Sequence, residues 1–132
     1  MAELNYPQAD EIIEINILAL GLVKVKKADK HQVLSYQKII SAVSKAEGTE
    51  GDLYLKAAVL MRELSRAHCF ASGNRRTAFL ATKDFVIRNS GKFVIPDDPD
   101  YANVMRGIRE GTYSETEISE WISNGKINKR GR

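Results

Sequence analysis

The sequence is short of several things. It has one cysteine, Cys69, so no internal disulfide can form, and a reducing compartment, the cytoplasm, is the expected location. It has no apolar run near the roughly 18 residues that a membrane crossing needs. The longest candidate, residues 12–25, is broken by Glu14, Asn16, Gly21 and Lys24. Residues 1–4 lack the basic start of a secretory signal. Internal repeats and low-complexity stretches are missing too. So is a strong charge imbalance: 20 Lys and Arg face 17 Asp and Glu, a formal charge of +3. Four of the cations, Lys126, Lys129, Arg130 and Arg132, fall in the last seven residues, which hold no acid, so residues 1–125 carry −1. A near-neutral body gives no composition-level case for a nucleic-acid surface. Residues 126–132 read as a disordered, solubilising tail, ahead of a nucleic-acid contact.

What is present is ordinary globular composition, 43% hydrophobic and 28% charged, which argues against disorder. At 132 residues one domain, spanning 1–125, is expected, with a core of real size. Apolar spacing reads as helix nearly throughout. Pro7 suits a first turn, and Ile12, Ile13, Ile17 and Leu20 form a stripe that stops at Gly21. Asp29 is a candidate N-cap for a second helix carrying Val33, Tyr36, Ile40 and Val43 to Gly48. Residues 44–52, SKAEGTEGD, read as a polar loop. Asp52 can cap a third helix that runs towards His68, and a fourth is expected from about Asn74 to Asn89. Val104, Met105 and Ile108 mark a fifth. Ser114 to Glu117 has the spacing of a capping box that opens a sixth, with Ile118, Trp121 and Ile122 facing the core. The expectation is a compact all-α bundle of about six helices.

The stretch that carries chemistry is His68-Cys69-Phe70-Ala71-Ser72-Gly73-Asn74-Arg75-Arg76-Thr77-Ala78. One helix ends in a histidine, a short loop follows, and a new helix begins at a glycine. The N–H groups of Gly73, Asn74 and Arg75 would then point outward at the positive end of that helix, a ready site for phosphate. Gly73 lets the backbone approach a ligand closely. Asn74 can donate from its amide, and the planar fork of Arg76 can grip phosphate oxygens. The imidazole of His68 can take a proton from a nucleophilic hydroxyl.

This stretch resembles the signature of the Fic/Doc proteins, His-x-Phe-x-x-Gly-Asn-x-Arg-Thr-Ala, and is closest to the Doc (death-on-curing toxin) branch. The likeness extends to residues 85–91, FVIRNSG, and 111–122, GTYSETEISEWI, and spans roughly 5–124. The resemblance implies a general base at His68 and a loop anchor at Phe70. It implies a phosphate cradle at Gly73, Asn74 and Arg75, and a phosphate-binding arginine at Arg76. Fic proteins typically move AMP from ATP to a hydroxyl of a target protein. Doc moves the terminal phosphate of a nucleoside triphosphate to a translation elongation factor. Doc-like motifs carry a lysine where this sequence has Arg75, also long and basic, which favours phosphate transfer. ATP is the expected nucleotide and a protein the expected substrate. No Ser/Thr-x-x-x-Glu-Gly/Asn inhibitory pattern precedes any Glu-Gly pair, so an inhibitor would act in trans, as the family's antitoxins do.

Two positions depart from the pattern. Ser72 stands where an acid usually holds Mg²⁺ against the phosphates, so no metal ligand is assigned; Asp84 is a substitute the sequence does not place. Cys69 replaces a common proline. The alternative reading is a Doc-like module that binds nucleotide or protein without turnover. Elsewhere, His31 reads as part of a solvated face, Cys69 as a non-nucleophile and Trp121 as core. Residues 44–52 fit either a peptide-docking flap or a plain connection.

Overall fold

A computed structural model describes residues 3–22, 32–96 and 99–128. They form six helices: α1 (Ala9–Leu22), α2 (Tyr36–Gly48), α3 (Leu53–Arg66), α4 (Asn74–Arg88), α5 (Tyr101–Glu110) and α6 (Glu115–Asn124). No strand occurs among the described residues, only a single antiparallel bridge between Val33 and Phe70. No helix among them is long and apolar enough to cross a membrane. The fold is a compact all-α one.

Several helix starts follow from side-chain hydrogen bonds in their first turn. The Asp52 carboxylate accepts from the Leu55 N–H at 2.9 Å and opens α3. Ser114 and Glu117 cap α6 reciprocally, at 3.1 and 2.9 Å. α1 begins after Gln8, whose carbonyl accepts from Glu11 and Ile12 while its N–H donates to the Glu11 carboxylate at 2.7 Å. Pro7 therefore precedes the first turn. Gly21 does not stop α1, which continues to Leu22 at the edge of the described residues.

α2 differs most from its expectation. It starts at Tyr36, capped by Ser35, whose hydroxyl accepts from Lys38 N–H at 3.1 Å; Asp29 and His31 lie outside the described residues. Residues 32–35 pair with the segment that follows α3, so the helix cannot start earlier. At its other end α2 runs through residues 44–48, and the connection shrinks to 49–52. That turn is fixed by Lys56, which donates to the carbonyls of Glu47 (3.0 Å) and Thr49 (2.6 Å).

α3 is the central helix and packs against α2, α4, α5 and α6. It buries residues nearly all round, among them Ala57, Leu60, Met61 and Leu64, as a helix enclosed by others must. Alanines shift two stripes from where the large residues suggest. α2 buries Ile39, Ala42 and Ala46 and leaves Tyr36 and Ile40 exposed; α1 buries Ile12, Asn16 and Ala19 and leaves Ile17 exposed. Trp121 is core. At the far end of α4, Arg88 bridges to Glu11 (3.0 Å) and Asp84 (2.6 Å), joining α4 to α1 and holding the Glu11 carboxyl below its usual range.

Candidate active site

α3 ends at Arg66, with Ala67 as its C-cap donating back to Glu63 at 2.9 Å. His68 is two residues beyond the helix, so the expectation of a helix-terminal histidine shifts outward. Its φ is +58°, in the left-handed region that side chains other than glycine rarely adopt. That turn breaks the helical path and leaves the imidazole exposed on the cleft. Its neighbours keep the chain in this shape. Cys69 and Phe70 are buried, the Cys69 carbonyl accepts from Leu34 (2.7 Å) and Ser35 (3.2 Å), and Ala71 donates to the Gln32 carbonyl at 3.0 Å. Burial raises the Cys69 thiol pKa, which leaves it a poor nucleophile.

The loop then turns into α4 under three constraints. Asn74 turns its amide back onto the loop: its Oδ1 accepts from Phe70 N–H at 3.0 Å and its Nδ2 donates to Phe70 O at 2.8 Å. The residue read as a ligand donor is therefore engaged in holding the loop. Gly73 is the N-cap at φ +78°, and a Cβ there would stand 3.1 Å from Leu20 and 3.3 Å from Asn16. Asn16 reaches across from α1, fully buried, and donates to Ser72 O (3.0 Å) and Thr77 Oγ1 (2.9 Å). The first N–H of α4 with an acceptor inside the helix belongs to Thr77, which donates to Gly73 O at 2.9 Å. Those of Asn74, Arg75 and Arg76 precede it, at the positive end of the dipole.

This end of α4 forms one wall of a cleft of about 460 Å³, with His68, Ser72, Gly73, Arg75 and Arg76 along it. The facing wall is α5, which contributes Tyr101, Met105, Arg106 and Arg109. Arg76 joins the walls. Its guanidinium donates to the Tyr101 hydroxyl and lies 5.5 Å from the ring centroid. Tyr101 in turn stacks on Phe79 at 4.2 Å and 9°. The motif residues His68, Gly73, Asn74, Arg75 and Arg76 are thus all brought to one cleft. Sequence reading missed the opposite wall and the buried Asn16. Its only available signal was the i, i+3 spacing of Arg106 and Arg109 beside a buried Val104, Met105 and Ile108.

A divalent cation finds poor ligands here. Ser72 offers one neutral hydroxyl, and no carboxylate is among the described residues lining the cleft. Asp84 is no substitute. It sits ten residues along α4, about 15 Å from the helix start, where it pairs with Arg88.

The Fic/DOC family profile matches residues 6–86, more than half of the sequence. The chain belongs to the Fic/DOC family. Family membership suggests transferase-type activity in general, and the matched region contains α1, α2, α3 and the motif loop with most of α4. α5 and α6 lie beyond it. No curated protein matches the chain.

Proposed function

We propose that this Fic/DOC protein moves a phosphate from a nucleoside triphosphate, with ATP the expected donor, to a hydroxyl of a target protein. One observation carries the reading: an exposed histidine, the amide end of α4 and a positioned arginine all face a single cleft. The target hydroxyl gives its proton to the His68 imidazole as its oxygen attacks the terminal phosphorus. The bond from that phosphorus to the bridging oxygen breaks, and a nucleoside diphosphate leaves with the electron pair. The first-turn N–H groups and Arg76 hold charge that develops on the phosphoryl oxygens. Arg75, in the place of a Doc-type lysine, favours phosphate over AMP transfer. No step is routed through a metal.

The Doc-like motif extends the proposal to a toxin-type role in the cytoplasm. The target would be a component of translation, such as an elongation factor, and an antitoxin would restrain the chain in trans. A second reading, a nucleotide- or protein-binding module without turnover, is favoured by Ser72 and the cleft's lack of a described carboxylate.

Incubating the protein with cell lysate and ATP labelled at either the γ or the α phosphate separates these readings. Transfer of γ-label, lost in His68→Ala, is the expected result. Transfer of α-label alone would replace phosphate with AMP. No transfer by the native chain, with transfer appearing in Ser72→Asp, would establish the binding module.

A further inference from the structure

The α5 wall has charge that neither the motif nor the mechanism above uses. The arginines that brace the fold are neutralised by carboxylates. Arg62 pairs with Glu115 at 2.8 Å and Glu63 at 3.3 Å, and Arg88 pairs with Glu11 and Asp84. The cleft is different. Arg75, Arg106 and Arg109 make no ion pair among the described residues, and they share with Arg76 a cleft lined by no described carboxylate. Like charges set around one concave space repel, and the low-dielectric walls strengthen that repulsion. An anion in the cleft removes it.

The two α5 arginines are placed to act together. Their i, i+3 spacing puts them on one face of the helix, a turn apart. Arg76 and Tyr101 fix the distance between the walls, so a chain of phosphates seated on the α4 end faces α5 across the cleft. A magnesium ion ordinarily neutralises adjacent phosphates and orders their oxygens. Guanidinium forks do both, with several donors each in a fixed plane. Among the described residues of this cleft, a free divalent cation meets four arginines and no carboxylate.

We propose that Arg106 and Arg109 complete a metal-independent polyphosphate site, which binds the phosphate chain of its ligand without a divalent cation. This rests on the phosphate-transfer reading for its ligand class, yet it concerns binding alone, and the two can fail separately.

The test is calorimetric binding of inorganic tripolyphosphate and of ATP, each in EDTA and again with excess Mg²⁺. The expected result is binding in EDTA at least as tight as with Mg²⁺. Losing both charge-assisted contacts, in Arg106→Ala/Arg109→Ala, should weaken it about tenfold or more. Lys45→Ala/Lys83→Ala removes the same charge outside the cleft and should stay within about twofold, since remote exposed charges are screened. Alanine at two exposed helix positions keeps the fold, which an unchanged melting curve verifies. Arg106→Gln/Arg109→Gln repeats the test with polar side chains of similar length. Binding that needs Mg²⁺, no binding in either condition, or cleft variants within twofold of the native chain would each overturn the proposal. Metal-free tripolyphosphate binding without label transfer would leave this site standing while the transferase reading falls. Transfer with a strict Mg²⁺ requirement would do the reverse.

Discussion

At the scale of the residue, His68 combines a strained backbone with the chemistry asked of it. A left-handed φ costs a non-glycine residue roughly 1–2 kcal/mol, and the fold retains that cost at the residue proposed as proton acceptor, which stands clear of α3. Two substitutions separate strain from chemistry. His68→Gly should stabilise the protein by up to about 1 kcal/mol, a rise of up to roughly 8 °C in melting temperature, while cutting transfer about 10²-fold or more. His68→Ala should cut transfer about 10²-fold or more with no such rise. Calorimetric melting of both checks this, and equal melting temperatures would remove strain from the account. The residues legible from sequence were those whose role is local. His68, Gly73 and Arg76 belong to one short motif, and its resemblance to a known signature names their parts. Asn16 and Tyr101 were not legible, because their partners are distant in the chain. Asn16 meets Ser72 and Thr77 at separations of 56 and 61 residues, and Tyr101 meets Arg76 at 25. An asparagine in an apolar stripe reads as an interruption until its partners are known.

At the scale of the element, the site is a joint between helices. α3 and α4 deliver the motif, α1 braces it through Asn16, and residues 32–35 clamp the loop with three backbone hydrogen bonds. Asn16→Ala should lower stability by about 1–3 kcal/mol, because it strands the buried Thr77 hydroxyl and leaves Ser72 O with one partner fewer. Urea unfolding measures that loss. Tripolyphosphate binding should weaken as well, since the same residue fixes the loop. Unchanged binding would mean that the loop holds its shape without α1. The starts of α3 and α6 were read correctly because Asp52 and Ser114 signal their caps locally. α2 was misplaced for the opposite reason. Its start depends on pairing between residues 32–35 and the motif loop, and its core face depends on Ala42 and Ala46. Small residues pack closely but give little hydrophobic signal.

At the scale of the molecule, charge is distributed by task. Residues 1–125 are close to neutral, yet four arginines converge on one cleft while Arg62 and Arg88 are tied to acids that join helices. The whole-chain charge of +3 therefore says little about function, whereas its local arrangement says much. The family profile ends at residue 86, so the α4 wall lies largely inside it and the α5 wall outside. The α4 wall was readable in advance because its residues form one short motif, whereas the α5 wall reaches the motif only through the fold. In the proposed mechanism His68 accepts the proton, while Arg76, the α4 amides and the α5 arginines of the same cleft hold the phosphates. The most direct measurement is the γ-label transfer rate of His68→Ala and Arg76→Ala, set beside the tripolyphosphate affinity of each. His68→Ala should lose about 10²-fold or more in transfer and bind normally, while Arg76→Ala should lose both. Transfer by His68→Ala at the native rate would contradict the account.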